Sequence, residues 1–476
     1  MATNQLLNNN DEPRIVKTDE GSKDGQNKCP QCGATDISVN AKTGKLRCNF
    51  CRHEFEPEKI QGMETDISNL QGEIMGSGTQ DIAEDAQNVM TFKCSSCGAE
   101  VVIDTSETTQ ARCHWCRNTL SVNQQIPNGA VPDVVLPFNV TKAEAREQIE
   151  KFVGKRKFFA HPNFRREFTT DNIMGVYFPY MVVDINSHAH FAGRGEQEVR
   201  SYTSGNNENQ KTYYDADLYE VERDFELTIE GLTIESSSDK LKKQSNKTNN
   251  VINAIMPFDI ENSVKYNANY LKGYTSEKRD TNIDILRPIV DEQSKDIARF
   301  AANETLEEYD RGVNWQTERL DVKGKQWKTA YLPVWLYSYQ QKKGSNSILH
   351  YVAVNARTKE TMGSVPIHMP KLIGISCIVE LLGWLITLLV DFKYEYLFLL
   401  SGFIYFFIMY FRYRNSNARH HHETETKKKM FNLSKVDSFI KRETGLSNSK
   451  IEGANNTKVS GQSVGETVLK TFTNFK

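Results

Sequence analysis

Eight of the nine cysteines fall into two sets of one spacing, Cys29, Cys32, Cys48, Cys51 and Cys94, Cys97, Cys113, Cys116, each reading Cys-x2-Cys-x15-Cys-x2-Cys. A Cys-x-x-Cys pair on a tight turn aims both sulfurs into one hemisphere. A second such turn, brought over by a β-hairpin, completes a tetrahedron of thiolates suited to Zn²⁺. Four thiolates leave no position for water or substrate, so the chemistry implied is structural rather than catalytic. The sets also match outside the ligands: Lys28-Cys-Pro-Gln-Cys-Gly-Ala34 aligns with Lys93-Cys-Ser-Ser-Cys-Gly-Ala99, and Arg47-Cys-Asn-Phe-Cys-Arg52 with Arg112-Cys-His-Trp-Cys-Arg117, at one offset of 65 residues. The reading is a tandem of small β zinc ribbons, at 28–56 and 92–123, holding two Zn²⁺ per chain. Gly33 and Gly98 stand where the knuckle leaves the backbone region open to most side chains. Disulfides are disfavoured, because the first 27 residues are polar and carry no apolar signal segment. His53 and His114 lie beside completed cysteine sets and read as surface residues.

The elements that must position these ribbons come from the remainder of the 476 residues. Net charge is −2 and mean hydropathy −0.57, so the chain is polar and has no global electrostatic drive toward nucleic acid. Against that background Leu372 to Val390 is conspicuous, with Glu380 its one charge. A second apolar run, Leu397 to Phe411, follows the connector Asp391 to Tyr396, and the two read as an α-helical transmembrane hairpin over 372–411. Arg357, Lys359 and Lys371 before it, and Arg412, Arg414, Arg419 and Lys427 to Lys429 after it, place both termini in the cytoplasm of an inner-membrane, multi-pass protein. The second run gives only about 22 Å of helix, so a re-entrant hairpin is the competing reading. Glu380 has no partner charge in the second run.

Residues 130–370 carry a weaker repeat. Val135-Leu-Pro-Phe-Asn-Val140 is similar to Ile255-Met-Pro-Phe-Asp-Ile260, each followed by a helical pattern, Lys142 to Phe152 and Glu261 to Leu271. Gly175-Val-Tyr-Phe-Pro-Tyr-Met-Val-Val183 is similar to Thr329-Ala-Tyr-Leu-Pro-Val-Trp-Leu-Tyr337, and the proline suggests the first residue of a strand or an edge. Helical spacing runs through Asp291 to Tyr309, and strands Leu349–Asn355 and Gly363–Ile367 bracket a turn. The expected multidomain fold is therefore two ribbons, a duplicated α+β cytoplasmic module with halves at 130–235 and 251–370, and the helical hairpin.

Connectors complete the layout: a disordered 1–27, an acidic linker at 57–91, polar loops at Ser201 to Gln210 and Ser236 to Asn250, and a basic cytoplasmic tail at 412–476. In the tail, Met430, Leu433, Val436 and Ile440 fit either an amphipathic helix on membrane lipids or a solvated segment. Asp184, His188 and His190 share one face of a strand, open to a metal or acid/base role or to plain surface polarity. His420 to His422 form a short polar run. No phosphate loop, nucleophile elbow or zinc-protease signature occurs, so no enzyme is expected. Ribbon 28–56 has a surplus of two positive charges and 93–122 has none, too little for a phosphate-tracking surface. A membrane-anchored adapter that recruits proteins is favoured over the alternative, a membrane-tethered nucleic-acid binder. Its contact residues would be Phe50, Arg52, Trp115 and Arg117, since aromatic and arginine anchors dominate protein interfaces.

Taken together, Cys-Pro-x-Cys-Gly at 29–33, the Arg-Cys-x-x-Cys knuckles, the Tyr-x-Pro runs, Val354-Asn-Ala-Arg-Thr-Lys-Glu-Thr-Met-Gly363 and the apolar hairpin resemble bacterial TFIIB-type zinc-ribbon-containing membrane proteins. The resemblance spans most of 28–411. It implies a partner set of phage-shock-type coat proteins or stomatin/flotillin-type scaffolds, and a recruiting role in envelope stress. Lys359 departs from the pattern, standing where those proteins tend to carry glycine in the strand turn. A cysteine introduced between Asp391 and Tyr396 is expected to react with an impermeant reagent applied to intact cells, and one near Ser447 to stay protected. Protection at both would favour the re-entrant hairpin.

Overall fold

In the stretch that begins at Met174, Gly175 to Ser187 are buried on both faces, with Val176, Phe178, Tyr180 and Val182 in one core and Met181, Val183 and Ile185 in another, and from His188 burial alternates with Ala189 and Phe191 inward. That makes it a strand whose first half is covered on both faces and whose second half commits one face to a core. The computed structural model describes residues 13–16, 29–34, 37–39, 45–56, 63, 66–79, 89–93, 100–104, 111–112, 119–120, 125–127, 132–170, 173–204, 211–236, 253–266, 270, 274–276, 279, 281–343, 346–389, 400–414 and 421–446. It is mostly sheet with some helices. Three strands are unusually long: Met174–Ser204, Lys211–Glu235 and Gly312–Lys343. At about 3.3 Å per residue, the first reaches roughly 100 Å. It lies between the other two, antiparallel to both.

The helix Ile283–Asn303 covers one face of this sheet. Its buried residues Leu286, Val290, Ile297, Ala298, Ala301 and Ala302 recur at helical spacing and pack with Val221, Phe225, Leu227 and Trp327. A second core gathers Val135, Phe138, Tyr177, Tyr331 and Trp335 under the helix Lys142–Gly154. That helix begins at a capping box in which Thr141 and Glu144 exchange hydrogen bonds, as its sequence requires.

The two Tyr-x-Pro runs face one another, Tyr177 opposite Pro333, Phe178 opposite Leu332 and Pro179 opposite Tyr331. Both prolines are internal to long strands rather than at a strand start. The flanking partners explain this. Beyond Met174–Ser204, the strand Thr275–Ser276 pairs at Val176 and Tyr177 and Lys211–Glu235 takes over at Tyr180, so Pro179 falls in the gap. Beyond Gly312–Lys343, Val134–Val135 pairs at Ala330 and Tyr331 and Asn346–Asn355 takes over at Val334, leaving Pro333 in the equivalent gap. A residue without an N–H costs nothing where no neighbour asks for one.

Several expectations are corrected. Within the segment read as disordered, Arg14–Val16 is a strand parallel to Gly72–Gly76. Gly72–Gly76 itself lies in the segment read as a linker and pairs in parallel with Gly312–Lys343. The acids there have structural work: Glu73 accepts from Trp327 Nε1 at 2.9 Å and pairs with Arg287 at 2.9 Å. After Ile255-Met-Pro-Phe-Asp the described residues form no long helix. A 3-10 turn, Ile260–Asn262, leads straight into the strand Val264–Lys265, which pairs with Val134–Val135. The basic tail forms neither an amphipathic helix nor a solvated segment over its described part. Lys427–Leu446 is a strand that pairs antiparallel with Lys211–Glu235 and supplies that edge with hydrogen-bond partners. The hairpin expected near Ala356 is present, Asn346–Asn355 against Thr361–Gly363, and Lys359 in it adopts φ 66°, the conformation for which glycine is the easier residue.

Among the described residues one helix, Met369–Leu389, contains a stretch long and apolar enough to cross a bilayer, Met369–Thr387. Its neighbour Ser401–Arg414 is shorter, about 21 Å at 1.5 Å per residue. The pair is antiparallel and both outer ends rest on the same turn: His368 N–H donates to Phe159 O at 2.8 Å, and Phe159 N–H donates to Tyr413 Oη at 3.1 Å. Glu380 has a partner after all. Its carboxyl accepts the Gly402 N–H at 2.7 Å and so caps the first turn of the second helix. Any side chain at Gly402 would collide with Ser376 O and Glu380.

The tail strand is locked by Arg223, whose side chain is buried and gives hydrogen bonds to Asp437 at 2.6 Å and to Thr305 at 2.9 Å. Asp437→Ala would strand that guanidinium, so unfolding by denaturant should show a loss of about 3 kcal/mol with new protease cleavage at Lys435 or Lys441. Arg442→Ala, which breaks an exposed pair with Asp217, should cost under about 1 kcal/mol.

Candidate functional site

Cys29, Cys32, Cys48 and Cys51 converge so that their four sulfurs lie within 4.8 Å of one another. Two knuckles build the group. In the first, Gly33 N–H donates to Cys29 O at 2.8 Å and Gly33 has φ 70°; in the second, Arg52 N–H donates to Cys48 O at 2.9 Å and Arg52 has φ 62°. Arg52 therefore occupies the left-handed position that glycine fills in the first knuckle, a requirement the sequence pattern did not announce. The strands Leu46–Cys48 and Glu54–Phe55 pair across the second knuckle and hold its sulfurs toward the first.

The four sulfurs are arranged so that they could hold a metal ion. The Cys51 N–H lies 3.5 Å from Cys48 Sγ, and the N–H groups of Cys51 and Phe50 bring the Cys48 thiol down to about 7. At Cys51 the His53 backbone pulls downward, but burial and the neighbouring sulfurs of Cys32, Cys29 and Cys48 win and push it up to about 12. Four thiolates this close repel unless a metal ion compensates them, and all four directions of a tetrahedron are then used.

The first ribbon is not isolated. Ile37 and Leu46 are fully buried in the same core as Val135, Phe138, Tyr270 and Tyr331. Its outer side carries Phe50, 82% exposed, with Arg52 also exposed. The second set, Cys94, Cys97, Cys113 and Cys116, lies outside the described residues, as do Trp115 and Arg117. Paired strands do flank its sequence: Lys93 is opposite Glu100 on either side of the Cys94/Cys97 pair, and Arg112 opposite Thr119 around the Cys113/Cys116 pair.

Asp184, His188 and His190 share a face of Met174–Ser204, but they do not form one group. Asp184 is buried and accepts Gly231 N–H at 2.8 Å while pairing with Lys328 at 2.7 Å. His188 and His190 instead meet Asp224 and Glu226 of the neighbouring strand. Those acids were missed in the sequence, although Glu220, Glu222, Asp224 and Glu226 alternate along one strand and mark one polar face. The Lys323 ammonium holds the Glu226 carboxyl below the usual range, with His188 adding to the effect.

A cleft of about 500 Å³ opens where Asp184 and Lys328 meet Met256, Phe258 and Ile260. Two of its lysines are paired, Lys328 with Asp184 and Lys427 with Glu261. The signature Val354-Asn-Ala-Arg357 has a mechanical role at the same place. Asn355 Nδ2 donates to Ile255 O and Pro257 O, and Arg357 grips Asp259 at 2.6 Å while reaching Pro137 O. Comparison with protein-family models, with curated proteins and with solved structures gives no match to this chain.

Cys48→Ser should empty the first ribbon alone, so metal content should fall by about one ion per chain. Because Ile37 and Leu46 would lose their anchor, proteolysis at Lys45 should rise in the same variant. Loss of both ions would refute independent ribbons.

Proposed function

We propose that the chain is a membrane-anchored zinc-ribbon adapter that recruits cytoplasmic proteins to the inner membrane, with both termini in the cytoplasm and the helix pair as its anchor. The observation that carries this reading is the first four-cysteine group. It has no open ligand position, it is seated on a large rigid sheet, and it presents an exposed aromatic ring and an arginine outward. A closed metal site beside a protruding aromatic and arginine pair suits protein recognition, because such anchors give most of the binding energy of an interface. The ion is zinc and each chain holds two, since the second cysteine set repeats the spacing of the first.

The anchor reading rests on Met369–Leu389 together with its capped partner Ser401–Arg414, whose outer ends return to one body. A pair so arranged brings the tail strand back to the sheet from the side on which it left. The resemblance to TFIIB-type zinc-ribbon membrane proteins suggests partners among phage-shock-type coat proteins and stomatin/flotillin-type scaffolds, acting in envelope stress.

The test uses the full-length protein solubilised from membranes. Phe50→Ala with Arg52→Gly, and the counterpart Trp115→Ala with Arg117→Gly, should abolish co-purification of the coat or scaffold protein while zinc content stays at wild-type level. Glycine at 52 keeps the left-handed backbone and removes only the side chain. Tight nucleic-acid binding by the wild type, falling steeply with salt, would sink the adapter reading.

A further inference from the structure

His188 and His190 are two residues apart on one strand face, about 7 Å along the chain, and Glu226 and Asp224 stand opposite them on Lys211–Glu235. The contacts converge on a single atom. Asp224 Oδ2 lies 3.2 Å from His188 Nε2 and 3.3 Å from His190 Nδ1, while His188 Nδ1 faces Glu226 Oε1 at 3.3 Å. Lys323 Nζ holds the other oxygen of Glu226 at 2.5 Å.

A neutral imidazole has one N–H and one lone pair. In the tautomer that gives its Nδ1 proton to Glu226, His188 turns the Nε2 lone pair onto a carboxylate oxygen, and two acceptors at that distance repel until a cation joins them. The carboxylate behind His188 is the arrangement that fixes the tautomer of metal-binding histidines. We propose that this face is a second kind of metal site, in which His188 Nε2, His190 Nδ1 and Asp224 Oδ2 bind a divalent transition metal, with Glu226 orienting His188 and Lys323 orienting Glu226.

Two imidazoles and one carboxylate suit Zn²⁺, Ni²⁺ or Cu²⁺, whereas Ca²⁺ and Mg²⁺ prefer oxygen throughout. Among the described residues only the four cysteines have ligand atoms all within 4.8 Å of one another, so closure on an ion here requires at least one side chain of the cluster to turn inward. Exposure of 32% at His188, 36% at His190 and 44% at Asp224 lets an ion enter from solvent. Two irregularities of the sheet flank the cluster, at Asn186/Ser187 and at Asp224/Glu226, the sort of bulge that re-aims side chains beside functional sites. Unlike the closed thiolate group, three protein ligands leave a position open, so the ion here should exchange.

The experiment is equilibrium dialysis of full-length protein in detergent, its thiolate sites already filled with zinc, against buffered micromolar Zn²⁺ at neutral pH. Wild type should take up about one further ion per chain. His188→Gln/His190→Gln should lose it, Asp224→Asn should weaken it at least about tenfold, and Glu226→Gln, which leaves every ligand in place, should weaken it about 10–100-fold. The three histidines at 420–422 are intact in all these proteins, so ions they hold cancel. Thermal melting checks that each variant folds; should the double variant fail, Glu226→Gln carries the test. No further ion in the wild type would mean that a proton alone fills the site, and equal uptake by all the variants would place the ion elsewhere. Either result overturns the proposal.

Discussion

The sheet depends on one register, the antiparallel pairing in which Tyr177 faces Pro333 and Pro179 faces Tyr331. A slip of one residue would turn every side chain of these strands to the opposite face, burying His188 and exposing Phe191. The prolines bear on the outer registers instead: extending Lys211–Glu235 or Asn346–Asn355 by one residue along its neighbour would carry it onto Pro179 or Pro333, which has no N–H to give. From that alignment follow the apolar face for Ile283–Asn303, the polar face that carries the histidines, and the free edge that the tail strand fills.

What could be read in the sequence was what depends on local spacing. The cysteine pattern brought four sulfurs together, and the apolar periods located Lys142–Gly154 and the later part of Ile283–Asn303, though the spacing from Asp291 ran on to Tyr309, past the helix end. Pairings between distant segments were opaque, because nothing local in Arg14–Val16 or Gly72–Gly76 names its partner. The tail shows how a period can mislead. Met430 and Leu433 are three residues apart, a helical spacing, yet both pack on the sheet core. The strand bulges between them: Asn432 takes φ 52° and the register shifts between Asp224 and Glu226. An extra residue in a strand turns a period of two into an apparent period of three.

The same limit applied to the charged groups. Glu380 stood out as an acid within an apolar run, but its partner is a backbone N–H rather than a side chain of opposite charge, and composition does not reveal backbone donors. Arg52 looked like a surface cation, and its backbone proved to be the second half of the knuckle geometry. His188 and His190 were open both to a metal or acid/base role and to plain surface polarity, and only the strand opposite supplied Asp224 and Glu226. In each case the residue was visible and the constraint on it lay in another part of the chain.

Closure of the sheet by Lys427–Leu446 sets a timetable for synthesis. When Glu235 leaves the ribosome, the outer edge of its strand has no partner, and the strand that covers it arrives roughly 200 residues later, a delay of about 10–40 s at ordinary elongation rates. Both apolar helices emerge in that interval. A nascent chain whose helix pair is misplaced cannot bring its tail back, and it keeps a 25-residue edge open to pairing with any other strand. Completion of the sheet thereby reports on the fate of the helices, and chains that fail are marked by an unpaired strand edge.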